Sequence, residues 1–126
     1  MTKLISEFMT KSPHTIGAEQ TLATAHALMR EHGIRHLPVL HGGKPVGMVS
    51  LRDLHLVETL SDVDPEQVPV EDAMSTDLYL VGPEAPLPEV ARAMLERRVG
   101  SAVISHGKQI LGVFTTSDAL RILALG

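Results

Sequence analysis

Two short stretches hold the residues best suited to chemistry. Gly47-Met48-Val49-Ser50-Leu51-Arg52-Asp53 and Gly112-Val113-Phe114-Thr115-Thr116-Ser117-Asp118 share one pattern: glycine, two apolar residues, a hydroxyl residue, two variable residues, then aspartate. A hydroxyl three residues ahead of an acid is first of all a capping box, because it satisfies the free N–H groups at a helix start. The same arrangement can also grip a nucleotide. A strand that feeds a helix N-terminus points unpaired N–H groups and the positive dipole end outward, which suits phosphate. Ser50 and Thr115 can bind that phosphate. A carboxylate one turn into the helix can accept both hydroxyls of a ribose, in charged bonds of about 1.5–3 kcal/mol each. Gly47 and Gly112 leave room for close backbone approach.

Other chemistries find less support. The chain has seven histidines, but His26 and His32 lie six apart and do not form an i, i+4 ligand pair. His32 and His36 are four apart, with Gly33 ending a helix between them. His41 and His106 belong to matching turns and read as solvated, and His36 reads equally as a phosphate ligand or a surface residue. No metal site is expected. There is no nucleophile elbow, P-loop or dinucleotide fingerprint. On a helix His55 sits about 200° around from Asp53, so Ser50, Asp53 and His55 make no triad. The chain therefore reads as a binding module and not an enzyme.

Bulk composition narrows the partners. A formal charge of -4 argues against duplex nucleic acid, whose phosphates demand clustered Lys and Arg. Aromatics are 2% of the chain, so a bound base would lie between aliphatic side chains. The absence of cysteine rules out disulfides and thiolate metal sites and fits a cytoplasmic setting. No apolar run approaches the roughly 20 residues of a membrane span, and Glu7 stands where a signal peptide would be apolar.

The elements that position the two motifs are themselves duplicated. An offset of 65, as from Met9 to Met74, also aligns Gly17/Gly82, Glu19/Glu84, Leu22/Leu87, Met29/Met94, Glu31/Glu96, His41/His106, Gly42/Gly107, Gly47/Gly112 and Asp53/Asp118 without a gap. Each copy predicts a short strand (His14–Gly17, Tyr79–Gly82) and a helix (Thr21–His32, Pro86–Arg98). A hairpin follows (Ile34–Leu40 with Lys44–Ser50, Val99–Ser105 with Gln109–Thr115), then a closing helix (Leu51–Leu60, Thr116–Leu125). Leu22, Ala25, Leu28, Met29 and His32 give the first helix one apolar face, as do Leu87, Val90, Ala93 and Met94 the third. Pro86 suits a first helical turn and Gly33 a helix end. Pro38, lacking an N–H, predicts an edge strand or a late strand start. Repeat one spans about 7–60, a polar linker Ser61–Pro69, and repeat two about 72–125. A sheet covered on one face leaves the other bare, so the two copies are expected to form one folding unit over 1–126.

At this point the chain resembles a tandem pair of cystathionine β-synthase (CBS) domains, a Bateman module. The resemblance rests on the duplicated βαββα layout, the Gly-Ile-Arg-His-Leu-Pro-Val run at 33–39 and the two terminal motifs. It implies an α+β fold of two repeats about a pseudo-two-fold axis, sheets packed together and helices outside. It implies a regulatory module binding AMP, ADP, ATP or S-adenosylmethionine as effector in clefts between the two repeats, each lined by residues of both, with no obligatory cofactor, a homodimer, and a separately encoded regulated protein. The alternative is a ligand-free dimerisation scaffold. Carried over by position, Asp53 and Asp118 hold ribose, and Ser50 and Thr115 face phosphate or ribose. Thr15, Ile16, Leu80 and Val81 border adenine. Arg35 and His36 match the family's basic phosphate contacts. Pro38, Ser101 and Ser117 complete the implied set. The second copy has Gly100 and Ser101 in place of Arg35 and His36, so the two sites are expected to differ in anion affinity.

Overall fold

In the computed structural model of the chain, residues 2–12, 14–60 and 62–125 are described. The elements run β1 (Thr10–Lys11), β2 (Ile16–Gly17), α1 (Leu22–His32), β3 (His36–His41), β4 (Lys44–Ser50), α2 (Leu51–Glu58), β5 (Leu80–Val81), α3 (Leu87–Arg97), β6 (Ser101–His106), β7 (Gln109–Thr115) and α4 (Thr116–Leu125). Two 3-10 turns, Ile5–Glu7 and Val70–Asp72, precede the repeats. The fold is mixed α+β with two sheets and four helices. The chain divides into two compact units, His14–Leu78 and Met1–Pro13 with Tyr79–Gly126.

In the unit His14–Leu78 the sheet order is β2-β3-β4. Thr21 caps α1 by accepting the Thr24 N–H at 3.2 Å, and Gly33 ends it at φ 63. The apolar face of α1 places Leu22, Ala25 and Met29 against Ile16, Leu37, Val39, Val49 and Leu54. The chain after α2 then returns to this same core. Leu22 donates to the Val68 carbonyl at 2.9 Å, Val70 donates to Gln20 at 2.7 Å, and Val70 is fully buried. Burying a side chain of that size contributes about 1.5–3 kcal/mol. Ser75 and Met48 exchange backbone bonds of 2.8 and 2.9 Å, closing the outer edge of β4. Ser61, where the linker reading begins, lies outside the described residues.

The other unit repeats this plan with the N-terminal arm. Its sheet order is β1-β7-β6-β5, with Thr10 opposite Val113 on the outer edge of β7. Ile5 is buried with Val90, Met94, Ala102, Ile104 and Phe114. The 65-residue offset thus reaches further back than Met9. It relates the two 3-10 turns and sets Thr10 against Ser75. In each unit the arm that closes the sheet comes from ahead of the other repeat.

Two expectations are corrected, and one helix end is unusual. Pro38 is not on an edge strand, since β3 is the middle strand of its sheet. In the second unit the residue 65 further on, Val103, donates its N–H to the Tyr79 carbonyl at 2.8 Å. Pro38 lacks that donor on the side of a strand only two residues long, so one bond is lost there while pairing with β4 continues. Pro86 is the N-cap of α3 and not a first-turn residue; Pro88 takes that place. The third helix ends on a non-glycine, Arg98, at φ 56.

Gly47 and Gly112 are explained by the arms. A Cβ on Gly47 would lie 2.6 Å from the Ser75 carbonyl oxygen, and one on Gly112 would overlap that of Thr10. The backbone that comes close is the protein's own. We therefore expect Gly112→Ala to lower unfolding free energy by about 1–3 kcal/mol. Gly82→Ala, with nothing within 4 Å of its new methyl, should stay within about 0.5 kcal/mol of the parent in urea denaturation.

Candidate functional site

The first motif is built at the junction of β4 and α2. Ser50 is extended at φ -113, ψ 161, and its hydroxyl accepts the Asp53 N–H at 3.1 Å. Asp53 Oδ2 accepts the Ser50 N–H at 2.9 Å, completing the box. Among the described residues Asp53 Oδ1 has no partner, and the side chain is half-buried. His36 sits across from Ser50 on the neighbouring strand. Leu51 donates to the Arg35 carbonyl at 2.8 Å, which holds Arg35 beside the first residue of α2. Arg35 is exposed, and its guanidinium has no partner among the described residues. An acceptor and a cation thus flank the α2 N-terminus, where helix N–H groups favour an anion.

The second motif carries the same box with a different carboxylate environment. Asp118 is 3% exposed. Its Oδ2 accepts the Thr115 N–H at 2.9 Å and the Thr115 hydroxyl at 3.1 Å. Its Oδ1 accepts the Thr10 hydroxyl and Arg121 Nη1, both at 2.9 Å. Ser101 lies opposite Thr115, and Ser117 is exposed on the first turn of α4.

The remaining expected residues are less uniform. Thr15 is half-buried, but the Ile16 side chain is only 4% exposed and belongs to the core, which leaves its backbone for any ligand. Pro38 is buried opposite Met48. Leu80 is exposed, while Val81 packs on the core of its unit. Within the first unit, then, Arg35, His36, Ser50 and Asp53 gather at one helix start. Ser101, Thr115, Ser117 and Asp118 do so in the second.

Sequence reasoning missed a stacked pair in each repeat. The His14 and His32 rings lie 3.7 Å apart and nearly parallel, at 15°. At the positions 65 residues on, the Arg97 guanidinium sits 4.7 Å from the centre of the Tyr79 ring. The repeat offset was the available signal, since it aligns two flat groups in both copies although no residue type is shared. His26, weighed from sequence only as a ligand partner of His32, pairs with Glu58 at 3.1 Å in an open groove that Arg30, Asp64 and Glu66 also line. Among the described residues no group of three metal-binding side chains occurs, and no helix is long and apolar enough to cross a membrane.

The family model for the CBS domain matches the chain twice, over residues 5–57 and 70–125. The chain belongs to the CBS domain family. Both matches take in an arm as well as a βαββα repeat. Among curated relatives, inosine-5'-monophosphate dehydrogenase of Korarchaeum cryptofilum is 33% identical over 92% of this chain, which spans only 23% of that enzyme. The CBS domain-containing protein YhcV of Bacillus subtilis is 28% identical over 90% of this chain and 81% of its own. Among solved structures, the hexameric CBS-CP12 protein from bloom-forming cyanobacteria superposes with TM-score 0.82 at 32% identity, covering 96% of this chain and 72% of that one. The CBS domain pair of protein MJ0100, in complex with 5'-methylthioadenosine and S-adenosyl-L-methionine, superposes with TM-score 0.82 at 20% identity, covering 98% of both chains.

The two aspartates of this CBS pair are expected to differ in structural weight. Asp53→Ala removes one box and should cost about 1 kcal/mol. Asp118→Ala strips a buried acceptor from an arm, a helix start and a guanidinium, and should cost about 2–4 kcal/mol. Urea unfolding of the two variants beside the parent checks this ordering.

Proposed function

We propose that the chain is a regulatory module, not an enzyme, that binds an adenine-containing ligand of the class AMP, ADP, ATP or S-adenosylmethionine. The observation that carries this reading is the Asp53 carboxylate, held by its capping bond with one oxygen unengaged among the described residues, at a helix start flanked by Arg35. In this reading Asp53 accepts the ribose hydroxyls. Ser50, Arg35 and His36 meet phosphate, and the backbone of Thr15 and Ile16 borders the adenine, with Pro38 beside it. Ser101, Thr115, Ser117, Asp118, Leu80 and Val81 are the corresponding positions of the second repeat. That a CBS pair of the same fold holds two adenosyl compounds supports the ligand class. The cysteine-free composition suits work in the cytoplasm.

The module is also proposed to act as a homodimer that regulates another protein or domain. Leu56 on α2 and Leu60 in the turn just after it are 60% and 59% exposed, and Leu120 and Leu123 on α4 are 60% and 79% exposed. Such apolar stripes favour burial against another surface. Light scattering should give a species of twice 13.6 kDa at micromolar protein; a monomer there counts against the dimer.

A thermal-shift panel tests the ligand. At a hundredfold excess over its dissociation constant, the true effector adds about 2.7 kcal/mol of stability. In calorimetry Asp53→Ala should weaken it at least about tenfold, the equivalent of one hydrogen bond, and a 2'-deoxyribose analogue should bind comparably poorly. A dimer that answers to no adenine compound would be a ligand-free scaffold.

A further inference from the structure

Resting on the nucleotide reading, we infer that the module binds one adenosyl ligand per chain, at Asp53, because the Asp118 site is latched shut by the N-terminal arm. An ionised carboxylate offers about four acceptor positions. At Asp118 all four are taken: by the Thr115 N–H, the Thr115 hydroxyl, the Thr10 hydroxyl and Arg121. A ribose diol therefore finds no vacant acceptor there and must first displace groups already bonded. Asp53 shows one acceptor in use among the described residues.

The difference traces to two positions in otherwise parallel architecture. Thr10 corresponds to Ser75, but the Ser75 hydroxyl accepts the Asp77 N–H at 3.4 Å and is not bonded to Asp53. Arg121 corresponds to Leu56, which has no hydrogen-bonding group. The arm and the ribose compete for one carboxylate, so release of residues 4–12 from β7 frees the acceptor position that Thr10 holds, Arg121 keeps its own, and a ligand driven into that site loosens the arm. This device is separate from the Arg35 and His36 asymmetry, which concerns phosphate.

The test is calorimetric titration of AMP into the full-length parent and the Thr10→Val, Arg121→Leu double variant, with amide hydrogen exchange on both. Arg121 is 63% exposed and Thr10→Val keeps side-chain shape and the backbone pairing, so the fold should survive. The latch predicts one AMP per parent chain and two per variant chain. Asp53→Ala should remove the parent's site and leave the variant with one. Amides of residues 5–12 should exchange about fivefold faster in the variant, the change expected for loss of one hydrogen bond. Two equivalent sites in the parent, one site in the folded variant, or unchanged exchange of the arm would each overturn the latch while leaving the nucleotide reading intact. Failure of both proteins to bind AMP, S-adenosylmethionine or ATP overturns the nucleotide reading, and the exchange result then decides the latch alone.

Discussion

Each sheet of this protein depends on a backbone pressed against a glycine. A hairpin that ends in a helix start leaves the outer edge of its second strand with unpaired N–H and C=O groups. In both units an incoming arm satisfies that edge, at Met48 by Ser75 and at Val113 by Thr10. The approach is too close for any side chain at Gly47 or Gly112. The same arm then buries an aliphatic residue, Val70 or Ile5, in the core beneath the first helix of the repeat. Edge closure and core completion thus come from one segment. That explains why the glycine stands three residues ahead of the hydroxyl in both motifs: it lets the arm pass directly beside the strand that presents the cap.

On this frame the two motifs diverge in what surrounds the carboxylate. The capping box is a structural necessity of a strand running straight into a helix, and both copies keep it. Beyond it, Asp118 is absorbed into its unit by a threonine and an arginine, whereas Asp53 keeps acceptor capacity beside an exposed guanidinium. A duplicated scaffold can hold one position for stability and its counterpart for recognition, because the box supplies the helix start in either case.

Much of this was legible in the residues. The 65-residue offset, the apolar spacing of Leu22, Ala25 and Met29, the Gly33 helix end and both hairpins appear where pattern and turn chemistry put them, and the membership in the CBS family follows from the same repeat. The arms were harder to read. Ile5 and Val70 lie in stretches too short to show a period, and their meaning comes from long-range packing. Pro38 misled because a proline argues from the bonds it cannot make, and the strand on its donor side is so short that the loss is small. Gly47 and Gly112 were read as room for a ligand beside the backbone, and it is the protein's own arm that comes close there. The engagement of Asp118 was hidden for the same reason: Thr10 and Asp118 are 108 residues apart.

That separation gives the two halves different histories during synthesis. The unit His14–Leu78 is contiguous, and everything it needs has left the ribosome before the second repeat is finished. The other unit joins the first dozen residues to the last four dozen, so its leading segment must wait, unpaired, until the final helix emerges. Closing so long a loop is slow, and Thr10 and Lys11 have their strand partner only once β7 has been made.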